Sequence, residues 1–123
     1  MNSKERMLAL WEEHMRCEFE AHDVDKTMAT MVDDNAHLIN PAVLTGGDNV
    51  AEIRHFYQSV FLPHIPDDTQ TTVVSRTIGE DQIVDELIFK FTHDIDMPWI
   101  LPNVPPTGKR VEVLMIVFVG VRE

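Results

Sequence analysis

The chain has 123 residues, 44% of them hydrophobic and 25% charged, which suits one soluble domain with a single core and excludes a disordered tail or a fibre. Twenty-one acids against ten bases leave a net charge of -11, a surface that repels a phosphate backbone and an anionic leaflet, so neither nucleic acid nor membrane is an expected partner. The lone Cys17 can form no internal disulfide, and no apolar leader opens the chain; both features lead to the expectation of a cytoplasmic protein.

Between Lys4 and His22 the apolar residues Met7, Leu8, Trp11, Met15 and Phe19 recur at helical spacing with charges between them, predicting a helix with one buried face and Ser3 as its cap. Asp23 caps a second, short helix to about Val32, and Asp33-Asp34-Asn35 reads as a turn. A short strand is expected over 36–40, ended by Pro41. Gly46-Gly47 breaks the chain, and Asp48 then caps a third helix carrying Val50, Ile53, Tyr57 and Phe61, closed by Pro63 and Pro66.

From Thr69 the period changes to two. Runs over 69–78 and 82–94, joined at Gly79-Glu80-Asp81, predict a hairpin. Residues 111–121 predict a third long strand, apolar enough from Val113 onward to be covered on both faces. The 95–108 crossover carries four prolines and the exposed-looking Trp99, Ile100 and Leu101, a composition suited to a functional or packed loop. Helices first and strands after argue for one α+β domain over 1–123, with three helices packed on a curved antiparallel sheet.

Phe91-Thr92-His93, followed by a crossover ending Pro105-Pro106-Thr107-Gly108-Lys109, resembles a pattern between adjacent strands of SnoaL-like polyketide and ester cyclases. The element order along almost the whole chain is similar to that of their nuclear-transport-factor-2-like, cystatin-like superfamily. The resemblance implies a cone-shaped pocket closed by the helices, in which pocket residues rather than fold select the activity. Such domains commonly add a final strand bearing an acid/base aspartate. This chain stops at Arg122-Glu123, where that turn would begin, so the aspartate has no counterpart. The expectation is a domain truncated at its C-terminus, or a sheet completed by a partner chain.

Along 83–93 the odd positions Ile83, Asp85, Leu87, Phe89, Phe91 and His93 form the more apolar face, which should look into the cone. Desolvation there would raise the pKa of Asp85 and suit it to general acid–base work, with His93 as a second catalytic candidate. Eight residues at ~3.3 Å each would set the two roughly 26 Å apart. The plainer alternative pairs Asp85 with a base near the sheet edge and makes His93 a loop anchor.

His37 and Asn40, beside the expected pocket rim, could hydrogen-bond an oxyanion. Tyr57 could supply a hydroxyl, Phe89 and Trp11 an apolar wall, and Trp99 with Leu101 a lid. His14 and Glu18 stand at i, i+4, yet no third or fourth ligand accompanies them, so no metal is expected; no phosphate loop or nucleophile elbow is present either, and no cofactor is implied. Two functions remain open. One is a cofactor-independent isomerase, cyclase or hydrolase acting on a small apolar carbonyl compound. The other is a non-catalytic ligand-binding or homodimeric assembly module.

Overall fold

In a computed structural model the chain is described over residues 1–122; Glu123, where the expected turn would begin, lies outside the described residues. Helix α1 spans Ser3–Phe19, α2 Val24–Ala29 and α3 Val50–His55, the last running into a π-helical turn over Phe56–Phe61 and a 3-10 turn over Leu62–His64. Two short strands, β1 (Leu38–Asn40) and β2 (Thr45–Gly47), pair with each other. The long strands β3 (Gln70–Ile78), β4 (Gln82–Thr92) and β5 (Arg110–Gly120) form an antiparallel sheet in the order β3-β4-β5. This is the expected α+β cone, with helices on one face of a curved sheet.

Local chemistry sets most boundaries. Asn2, rather than Ser3, caps α1: its Oδ1 accepts from the Glu5 N–H at 2.9 Å while the Glu5 carboxylate accepts from the Asn2 N–H. Asp23 caps α2 as expected, and Asn49, one residue beyond Asp48, caps α3. The Gly46-Gly47 break is itself strand β2. Gly46 has φ +135°, and a Cβ there would lie 2.0 Å from the Leu38 carbonyl oxygen; one on Gly47 would press on the Glu52 backbone at 2.7 Å. Gly46 thus allows β2 to close on β1, and Gly47 allows the ribbon to lie against α3.

Strand β4 alternates as expected, with every odd position from Ile83 to Phe91 buried and His93 continuing the series. Strand β5 does not have two covered faces. Its odd residues pack inward beside β4, whereas Leu114, Ile116 and Phe118 on the other face are 58%, 62% and 67% exposed. The crossover also differs from expectation, because Trp99 is buried: it donates from Nε1 to the His64 carbonyl at 2.9 Å and meets Phe61 edge-on at 4.7 Å. An apolar loop of this length is held by inserting its aromatic residue into the core.

Candidate functional site

The interior holds an unusual number of ionisable groups for so small a core: Asp85, Glu18 and His93 are buried, as is the Tyr57 phenol. Asp85 is wholly inaccessible. Its Oδ1 accepts from Arg76 Nε at 2.7 Å, and its Oδ2 accepts from Arg76 Nη2 at 2.8 Å and from Trp11 Nε1 at 2.8 Å. Burial pushes this carboxyl up, but the Arg76 fork and the Trp11 donor outweigh it, so the net pKa lies below the usual carboxylate range. The raised pKa expected from desolvation is therefore corrected: burial alone would raise it, and a partner invisible in the local pattern reverses the sign.

That partner is placed by a β-bulge. The β3–β4 register runs Val73 opposite Leu87 and then Ser75 opposite Glu86, leaving Val74 as the extra residue. The inserted residue changes the phase of β3, so that Arg76 rather than Ser75 faces inward and stands directly opposite Asp85. On the other side of Asp85, β5 contributes only Val117.

A second polar group adjoins the first. The Trp11 and His14 rings stack with centroids 5.5 Å apart, one helical turn along α1. His14 Nδ1 lies 2.6 Å from Thr30 Oγ1; its Nε2 lies 3.0 Å from the Tyr57 hydroxyl and 3.4 Å from Glu18 Oε2. Burial first, and then the Glu18 carboxylate, raise the Tyr57 phenol well above its ordinary pKa, so the hydroxyl stays protonated. Tyr57 sits in the π-helical turn, and its neighbours Phe56 and Phe61 are buried with it.

The remaining sequence candidates are dispersed. His93 is buried at the far end of β4, where its Nδ1 lies 3.2 Å from Thr107 Oγ1, its backbone bonds to Lys109 and Gly108, and its Nε2 makes no hydrogen bond. Phe89 is buried against Phe19 and Trp99. Asn40 donates to Thr45 Oγ1 at 2.9 Å inside the β1–β2 ribbon, His37 is exposed, and Leu101 is half-buried in the crossover. Sequence reasoning gave no site role to Arg76 or Thr30, and weighed His14 and Glu18 only as a metal pair. The i, i+4 spacing of His14 and Glu18 was the available signal. Two clefts, of about 410 and 280 Å³, lie outside the Asp85 surroundings; the first borders Arg6, Met7 and Leu10, the second Met28, Met31 and Val50. Among the described residues no cluster of three or more His, Cys, Asp or Glu side chains could hold a metal, and no helix is long and apolar enough to cross a membrane.

The fold and the ionisable inner face define an α+β domain with helices on one face of a curved antiparallel sheet. Among solved structures, the chain is similar to that of TsrD from Streptomyces laurentii, with a TM-score of 0.67 and 18% identity over 100% of this chain and 84% of that one; at this identity the likeness establishes fold alone. No protein-family model matches the chain, and no protein of curated function matches it significantly.

Proposed function

We propose that this chain is a SnoaL-like enzyme that carries out cofactor-independent acid–base chemistry, of isomerase, cyclase or hydrolase type, on a small apolar carbonyl compound. The observation that carries this reading is the burial of Asp85, Glu18, His93 and Tyr57, with Asp85 bonded to Trp11 and Tyr57 packed against Phe56 and Phe61. Burying ionisable groups costs folding free energy, and an apolar core of the same volume would dispense with them; such groups concentrate where proton transfer needs them.

In this reading Asp85 is a fixed charge, saturated by Arg76 and Trp11, rather than the residue that exchanges protons with substrate. Tyr57 supplies the polar contact, with Trp11, Phe89 and Trp99 as apolar wall. The test is α-proton exchange of small enolisable ketones in deuterated water, followed by NMR. Faster exchange with the protein than with buffer supports the reading, and a whole panel left at the buffer rate sinks it.

A second reading, a homodimeric assembly module, is favoured by one specific observation: Leu114, Ile116 and Phe118 project from one face of an edge strand with more than half of each exposed. The occupant of that face would be a second copy, giving in light scattering twice the 14.1 kDa of one chain. The readings are compatible, since the outer face of the sheet and its inner face are separate surfaces.

A further inference from the structure

The crossover between β4 and β5 is packed in its first half and bare in its second. Met97 and Trp99 are buried, and the Met97 carbonyl accepts from the Ile100 and Leu101 N–H groups at 3.1 and 2.7 Å. Over 102–109 every residue is exposed. This bare half holds Val104-Pro105-Pro106, which the acid–base reading does not use.

Sterics fix the backbone there. A prolyl ring sets its own φ near about −65°, and a residue that precedes proline is driven out of the helical region into the extended one. Val104 and Pro105 both precede a proline, so the run is held as polyproline II, a helix of about three residues per turn with its backbone open to solvent. Asn103, at φ +63°, ends that helix on its N-terminal side, and Gly108, at φ +70°, turns the chain into β5 on the other.

The same threefold period decides which way the side chains face. Val104 and Thr107, one turn apart, share an edge. Thr107 Oγ1 reaches back to the fold, accepting from the Lys109 N–H at 3.2 Å and lying 3.2 Å from His93 Nδ1. Pro105 and Pro106 therefore take the two outward edges. The segment is tethered as well: the Gly108 N–H donates to the His93 carbonyl at 2.7 Å, and the His93 N–H to the Lys109 carbonyl at 2.9 Å. A prolyl ridge held at both ends loses little freedom when it is grasped.

Positive charge follows the ridge. The Lys109 side chain is exposed and makes no ion pair among the described residues, while Arg110 beside it binds Asp68 at 2.9 Å. In a chain of net charge -11 this is a local cationic spot, and it marks one end of the ridge.

We propose that Val104-Pro105-Pro106 is a docking ridge for a partner domain of the WW type, whose groove clasps a prolyl pair between two aromatic rings and carries a carboxylate for Lys109. This is independent of the acid–base reading. An SH3-type groove fits less well. It reads two prolyl dipeptides along one continuous polyproline helix, and here the left-handed Asn103 separates Pro102 from Pro105.

The experiment titrates the nitrogen-15-labelled full chain with isolated WW domains that read Pro-Pro, and separately with SH3 domains, followed by NMR. A WW domain should give saturable shifts confined to 102–110. Pro105→Ala and Pro106→Ala should each weaken that binding by about tenfold or more, with the urea midpoint unchanged because both rings project into solvent. Lys109→Ala should weaken it by about fivefold or less, an effect that high salt removes. A WW panel that shifts no resonance of the chain overturns the proposal, and so does binding that both alanine variants retain. Binding by SH3 domains alone overturns it too, because the ligand would then be the longer segment that Asn103 interrupts.

Discussion

Arg76 stands directly opposite Asp85 in the β3–β4 register and binds it through two parallel hydrogen bonds of 2.7 and 2.8 Å, with Trp11 of α1 donating a third. The pair joins sheet to helix through a carboxylate that has no access to water. Removing one partner leaves a buried charge uncompensated, so Arg76→Ala should destabilise the fold by about 3–5 kcal/mol. Trp11→Phe, which keeps the ring but loses the donor, should cost about 1.5–3 kcal/mol, the worth of a hydrogen bond to a charged group. Urea unfolding of both variants checks the ranking; an Arg76→Ala protein as stable as wild type would show that the pair is not coupled to folding.

The same pair sets an acid limit. The folded pKa of Asp85 is depressed, so its contribution is fully present above the unfolded value of about 3.9 and is lost as pH falls from there through the folded pKa. Stability followed from pH 6 downward should therefore decline most steeply below about pH 4. The decline should be shallower in Asp85→Asn, which has no charge to lose. Identical pH slopes in the two proteins would contradict the assignment.

Tyr57 is the sole tyrosine of the chain, so phenolate absorbance reports on it alone. Its folded pKa is raised by burial and by Glu18, which means that stability is present below the unfolded value of about 10 and is lost as pH rises above it. The phenolate should appear well above pH 10 and together with loss of structure. Reversible ionisation near pH 10 in the folded protein would place the hydroxyl in water.

On the outer sheet face, Phe118→Glu or Ile116→Lys should convert a dimer to a monomer in light scattering while leaving the helical circular dichroism unchanged. Both residues are more than 60% exposed in the single chain, so neither change opens a cavity. A wild-type protein that stays monomeric at high concentration would remove the assembly reading.

Gly46→Ala should be among the most damaging single-methyl additions. The added Cβ would meet backbone 2.0 Å away, at a φ that L residues rarely adopt. Only movement of β1 could relieve the clash, and a melting temperature within a degree or so of wild type would show that the ribbon does not pack as described.

The sequence alone determined the element order, the hairpin at Gly79 and the inward face of β4. Those follow from periodicity and from glycine and proline chemistry, which act over a few residues. Strand β2 was missed because a three-residue Thr45-Gly46-Gly47 strand has no alternation to display, and its pairing is fixed by close approach to Leu38 and Glu52. Tertiary structure decided the site. The sign of the Asp85 shift depends on Arg76, nine residues away in the chain and brought across by one bulged residue. The meeting of His14 with Tyr57 spans 43 positions and depends on how α1 packs against the turn that follows α3. The environment of a charged group is set by whatever packs against it from other elements, and local sequence carries little trace of those neighbours.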